Sequence, residues 1–193
     1  MRIIAGTARS RVIEAPRGMD IRPTLDRVRE NLFNVISRRV PGARVLDLFA
    51  GSGALALEAR SRGAASAVLN DRDREAQRVE QRNTETLGFV GRARLLRGDW
   101  QQALRLLQGE DARFDLVFLD PPYAMEDLQP VTEALLPLLA EDARVIIEHQ
   151  AGHPSRVCGE LETVDSRRWG YAGVSICRVR PEPSASPEAS PLE

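Results

Sequence analysis

The sequence predicts an α/β domain: a mostly parallel seven-stranded sheet with helices on both faces, preceded by a small basic hairpin-plus-helix extension. Three observations predict it. From residue 44 onward, short apolar runs alternate with longer amphipathic stretches, the pattern of successive βα units feeding a parallel sheet. The last two apolar runs have no helical stretch between them, so they read as an antiparallel pair appended to that sheet. The 193 residues are 42% apolar and 28% charged, which suits one domain with a sizeable core.

The elements follow in order. Residues 2–5 and 12–15 read as a hairpin, and a helix is predicted over 25–40. Thr24 is placed as its N-cap, and Asp26 sits in the first turn, where the helix dipole favours an acid. Strands are predicted at 44–48, 65–70, 93–97, 114–119 and 143–148, with helices near 53–62, 73–87, 100–108 and 126–140. Pro137 is expected to kink or shorten the last helix, because it removes a backbone donor and crowds the preceding turn. The appended strands are 161–168 and 174–180, separated by Trp169-Gly170-Tyr171. From Pro181 the chain has almost nothing to bury and is expected to be disordered. The expected organisation is a basic extension over 1–43, a cofactor-binding catalytic domain over 44–180 and a tail over 181–193.

Whole-chain charge excludes little, since 27 basic residues face 28 acidic ones for a net −1. Its distribution says more. Residues 1–44 hold ten Arg against four acids, net +6, while the remaining 149 hold 17 against 24, net −7. Every basic residue is Arg, the better fork for phosphate and the better partner for base stacking. The two cysteines, Cys158 and Cys177, are too few for a disulfide framework and wrongly spaced for a redox pair or zinc site, so a reducing cytoplasm is the expected home. No apolar run approaches the roughly 18 residues that span a bilayer, and the polar turn after Gly6 leaves no secretory core. His149 and His153 have the spacing of helical metal ligands, but Gly152 and Pro154 oppose a helix and no third ligand is evident, so no metal site is expected.

Chemistry gathers at the predicted strand ends. Val45-Leu46-Asp47-Leu48-Phe49-Ala50-Gly51-Ser52-Gly53 runs an apolar strand into a glycine turn and then a helix. Gly51 and Gly53 let the backbone approach a ligand at the helix N-terminus, where unpaired amides face outward. Asp71 lies twenty residues beyond Gly51, after the second strand, where an acid can accept both hydroxyls of a ribose. A nicotinamide cofactor or S-adenosylmethionine would satisfy that much. Asp47 decides between them, because an acid ending the first strand suits the ammonium of a methionine moiety and not a pyrophosphate. Phe49, in the same turn, is counted among the cofactor contacts. After the third strand, Asp99 could accept from an adenine amino group or cap the next helix, or both, while Trp100 covers the ring.

The fourth strand ends in Asp120-Pro121-Pro122-Tyr123, at the sheet edge where open α/β folds place reacting groups. Consecutive prolines hold an extended backbone without N–H donors, so their carbonyls can face a cleft as acceptors. Asp120 adds a carboxylate acceptor. The exocyclic amine of a nucleobase offers matching N–H donors, and Tyr123 offers a face on which that base can stack.

These residues resemble the S-adenosylmethionine-dependent amino methyltransferases of the seven-strand Rossmann-like class. Ile3-Ile4-Ala5-Gly6 and the block from Arg22-Pro23-Thr24-Leu25-Asp26-Arg27 to Asn34 narrow the resemblance. Together they are similar to the bacterial family that methylates the 2-amino group of one guanine in small-subunit ribosomal RNA. The resemblance spans residues 2–180. It implies that Asp120, Pro121, Pro122 and Tyr123 are catalytic, and that Arg9, Arg11, Arg22, Thr24, Arg27 and Arg29 meet the RNA. It further implies an assembled or partly assembled small subunit as the substrate, and a monomer is expected. One departure is that the family commonly has Glu where this chain has Asn70-Asp71, and Asp71 reaches one methylene less. Arg38 and Arg39, near a helix end, read as solvated cations.

Three other activities share parts of this pattern. A DNA amino methyltransferase would use the same Asp-Pro-Pro-Tyr chemistry but needs a target-recognition region for which 193 residues leave little room. A non-catalytic ribosome-assembly factor would keep the basic arm without needing an intact glycine turn. A dehydrogenase fits the turn but not Asp47.

Overall fold

The computed structural model describes residues 1–16, 23–122, 124–125 and 127–181, with the side chains of 23–25 left aside. Helix α1 (Pro23–Val35) leads into a 3₁₀ turn (Ser37–Arg39), after which β1 (Arg44–Asp47), α2 (Ala54–Ser61), β2 (Ser66–Asp71), α3 (Arg74–Leu87), β3 (Ala93–Arg97), α4 (Trp100–Gly109) and β4 (Phe114–Leu119) alternate. Helix α5 (Gln129–Leu135), a 3₁₀ turn (Leu136–Leu138), β5 (Leu139–Gln150), β6 (Leu161–Trp169) and β7 (Ala172–Val179) complete the described chain. The strands form one seven-stranded sheet in the order β3-β2-β1-β4-β5-β7-β6. The first five are mutually parallel and β7 is antiparallel to both β5 and β6, as the helix-free connection required.

Because side chains alternate across a strand, each strand feeds both faces. Val45, Leu69, Leu116, Phe118 and Ile146 bury one face under α1 and α2. Leu46, Leu48, Val117, Leu119 and Ile147 bury the other under α4 and α5. Both layers of helices expected from the βα alternation are therefore present. Phe33 of α1 is fully buried, its ring 5.9 Å from Phe118 and capped by the Arg62 guanidinium at 4.9 Å.

Several elements depart from expectation. Helix α1 begins at Pro23, so Thr24 lies inside the first turn rather than at the cap; proline suits that position because its missing N–H would have no partner there. The expected N-terminal hairpin is reduced to one antiparallel bridge, Arg2 to Val12, with Ile3 N–H donating to the Arg11 carbonyl at 3.0 Å. Its Ile3, Ala8 and Ile13 are buried in the same core as α2, so these apolar side chains anchor the segment more than strand pairing does. Strand β5 starts four residues early: Leu139 pairs with Phe114, and the ladder resumes at Leu116 with Arg144 after an irregularity that accommodates the polar Glu141-Asp142. Helix α5 gives way to a 3₁₀ turn around Pro137, as the proline dictated. The expected tail from residue 182 onward lies outside the described residues. Among the described residues no helix is long and apolar enough to cross a membrane.

Candidate active site

The strand order places β1 and β4 side by side at the centre of the sheet, so the loops after them open on the same carboxyl edge. A cleft of about 430 Å³ lies there. Its walls bring together Asp47, Phe49, Gly51, Asp71, Trp100, Asp120, Pro121 and Pro122, which the sequence had marked from four separate loops.

Of the two marked glycines of the turn, Gly51 lines the cleft and Gly53 does not, packing inward instead. Gly53 has φ +77°, and a Cβ there would meet Leu69 Cδ2 at 2.7 Å, so α2 starts where only glycine fits without displacement. The Ala50 N–H donates to the Asn70 carbonyl at 3.0 Å, tying the turn to the neighbouring strand. Asp71 Oδ2 accepts from the Gly51 N–H at 2.9 Å while Oδ1 accepts from the Asp73 N–H at 2.8 Å. The acid expected at a ribose thus also holds the turn and the start of α3. Each carboxylate oxygen keeps a second lone pair for a hydroxyl.

Asp47 is buried at 1% exposure on the cleft wall. Oδ2 accepts from the Ala56 N–H in the first turn of α2 at 3.2 Å, and Oδ1 has no partner. Burial pushes its carboxyl up to about 8, against the pull of the Ala56 hydrogen bond and with help from the charges of Asp120 and Asp71. A buried acid on the cleft wall with one oxygen lacking a donor suits an incoming ammonium group, which would supply both a donor and an opposite charge.

On the same cleft, desolvation pushes Asp120 up to about 6. Asp120 is itself exposed to the cleft, so it is the crowding of the surrounding walls rather than enclosure in a core that desolvates it. Glu148, at the end of β5, shares the wall, and burial together with the Asp120 charge pushes it up to about 8. The sequence reading missed Glu148. Its signal was present, an acid closing a strand that parallels β4, but no motif surrounds it. Met1, Val28, Arg29 and Leu32 also reach the cleft, so the N-terminal segment and α1 form part of its wall.

Other marked residues fall elsewhere. Asp99 is the N-cap of α4, its Oδ1 accepting from Gln102 N–H at 2.8 Å, and it is not among the cleft walls, where Gly98 and Trp100 stand instead. Arg9, Arg11 and Arg27 are exposed, with Arg11 also donating to the Thr86 carbonyl. Arg29 does not join them on the surface: it is 5% exposed, donates to the Arg2 carbonyl and to Asp26 Oδ1, and stands 3.9 Å from buried Glu58. Arg22 and Tyr123 lie outside the described residues, as does the Thr24 side chain. Arg39, read as a solvated cation, pairs with Asp142 at 2.8 Å. His149 is buried on β5 against Gly173, with its ring nitrogens 2.9 Å from the Gln150 carbonyl and 3.0 Å from Ser175 Oγ. Among the described residues no group of three His, Cys, Asp or Glu side chains could hold a metal ion.

With this geometry in place, comparison with known proteins is decisive. A family profile described as Conserved hypothetical protein 95 matches residues 1–178. The chain belongs to this family. The resemblance to the small-subunit ribosomal RNA methyltransferases, drawn from the glycine turn, the Asp-Pro-Pro-Tyr exit and the basic block, therefore holds. Among relatives of the family, the Bacillus subtilis protein YlbH is 36% identical over 93% of this chain and all of its own length. Ribosomal RNA small subunit methyltransferase D of Escherichia coli K12 is 38% identical over 78% of this chain and 75% of its own. The solved structure of Escherichia coli yhhF superposes with a TM-score of 0.78 at 33% identity, covering 93% of this chain and 97% of that one. The methyltransferase fold expected from the sequence is thus the fold observed.

Proposed function

We propose that this chain is an S-adenosylmethionine-dependent methyltransferase that modifies the 2-amino group of a guanine in small-subunit ribosomal RNA, acting as a cytoplasmic monomer on an assembled or partly assembled subunit. The observation that carries the reading is one cleft whose walls hold both the buried acid Asp47, with one oxygen lacking a donor, and Asp120-Pro121-Pro122. Relatives named for small-subunit ribosomal RNA methylation support the substrate class.

Asp47 would hold the cofactor's ammonium, the Gly51 turn and Asp71 its ribose, and Phe49 and Trp100 would cover its base. When bound, S-adenosylmethionine supplies a methyl group activated by its sulfonium. The chain's own work is alignment. Asp120 accepts an N–H of the guanine amine and the Pro121 carbonyl can accept the second, which turns the nitrogen lone pair toward the methyl carbon. As the nitrogen–carbon bond forms and the carbon–sulfur bond breaks, the amine nitrogen gains positive charge that Asp120 stabilises before one proton leaves to water. A carboxyl near 6 is mostly ionised at neutral pH and serves this role without being a strong base. Reaching the cleft requires the guanine to leave its stack, and Tyr123 would replace part of the lost stacking. Arg9, Arg11 and Arg27 would meet phosphates, with Arg22 and Thr24 beside them in sequence.

Incubation with methyl-labelled S-adenosylmethionine and small subunits lacking the modification, followed by nucleoside analysis, tests the reading. Label in 2-methylguanosine of the ribosomal RNA is expected. Label confined to DNA or to another nucleoside, or no incorporation, would overturn it.

A further inference from the structure

A second cavity of about 150 Å³ adjoins the cleft and shares Pro121, Pro122, Met125 and Glu148 as walls, adding His153 and Ser155. A space of that order takes one aromatic ring. Glu148 stands at the junction of the two cavities. Strand β4 pairs with β5 in register Leu119 to Ile147, and one residue further this register sets Glu148 beside Asp120. Two carboxyls therefore stand together where the cofactor cleft opens into a ring-sized pocket. No described residue donates a hydrogen bond to either of them, and each is raised by desolvation. Such a pair is complementary to a flat ligand edge that carries several N–H donors and no acceptor facing the acids.

Guanine has that edge: N1–H beside the two N–H of the 2-amino group. We propose that Glu148 is a specificity-determining residue that accepts the guanine N1–H while Asp120 accepts from the 2-amino group, with the base ring seated in the side cavity. The inference rests on the guanine-amine reading above and deepens it. Adenine turns an N1 lone pair to the same place, which repels Glu148 once it is ionised and gives no donor to favour the ionised form. Charge-assisted pairs of this kind are short and strong, so a base lacking N1–H leaves Glu148 ionised, desolvated and unpaired.

The test compares guanine with 2,6-diaminopurine at the methylated position of reconstituted small subunits, using wild type and Glu148→Gln. Diaminopurine keeps the 2-amino group and replaces N1–H with a lone pair. Assays run at about pH 8, where Glu148 is about half ionised even without a base and guanine keeps its N1–H. Wild type is expected to prefer guanine about ten- to a hundredfold in kcat/KM. Glu148→Gln, whose amide can donate to N1, is expected to lose about tenfold on guanine and to narrow or invert the preference. Wild type taking both bases equally, or Glu148→Gln keeping the wild-type ratio, overturns the assignment. Melting temperature and cofactor affinity serve as folding controls, and if the variant does not fold the wild-type ratio alone decides. A wild type that methylates no guanine contradicts the underlying function instead, which is a distinguishable failure.

Discussion

Asp47 shows how one residue links the fold to cofactor chemistry. Its carboxyl is raised to about 8 because it is buried with one oxygen unpaired, and an arriving ammonium would favour the ionised form. Binding below pH 8 then releases a proton, so affinity for S-adenosylmethionine should climb from pH 5 toward pH 8, by at most about tenfold per unit, and fall again above as the cofactor's own ammonium is deprotonated. Asp47→Asn should bind weakly with a flat pH profile, and calorimetry across that range checks both expectations. Asp47, Glu80 and Glu148, near 8, and Asp120, near 6, also hold more protons folded than unfolded above about pH 4. The cofactor-free protein should therefore lose stability as the pH rises from about 4 to 8, visible as a falling melting temperature. At this scale Asp47 and Asp120 were legible because each sits in a motif. Glu148 was not, since its importance comes from the β4–β5 register, a non-local fact. Asp71 was legible as a residue of the cleft, but its grip on the Gly51 and Asp73 amides depends on backbone geometry that composition does not reveal.

Helix α2 carries the glycine turn at one end and a buried acid, Glu58, in its middle. Glu58 accepts from the Ile4 N–H at 2.7 Å, the Ala5 N–H at 3.0 Å and Arg62 Nε at 2.7 Å. These contacts fasten the N-terminal segment to the helix that shapes the cofactor turn. Glu58→Ala would strand two amides and leave buried Arg29 with Asp26 as its one remaining acidic neighbour among the described residues. The expected cost is about 3–5 kcal/mol, on the order of 10 °C in melting temperature, readable by thermal denaturation. The strands and helices of the sheet were legible from periodicity, and β3 and β4 fall where expected. The N-terminal bridge was misread as a hairpin because Ile3 and Ile13 alternate like strand residues, whereas what holds them is burial and Glu58. Helix α1 was placed two residues late because Thr24 looks like a cap, and the proline before it is the better starting residue.

For the molecule as a whole, charge asymmetry sets how RNA should arrive. An arm of net +6 precedes a body of net −7 that should repel a polyanion, and Arg9, Arg11 and Arg27 are exposed on that arm. Replacing these three with Gln should weaken RNA binding and reduce its salt slope by about 0.7 per lost phosphate contact. Cofactor affinity should not change. An arm that reads a folded surface should matter more on assembled particles than on naked RNA, and filter binding across a salt series on both substrates distinguishes the two. Arg29 is excluded from this set because the fold uses it internally, a placement that sequence spacing from Arg27 could not settle. The central claim, that Asp120 orients the acceptor amine, is tested most directly by methyl incorporation into small subunits by Asp120→Ala at saturating S-adenosylmethionine. The account predicts a folded variant that binds the cofactor like wild type and loses methyl transfer by at least about a hundredfold. Turnover near the wild-type rate would contradict it.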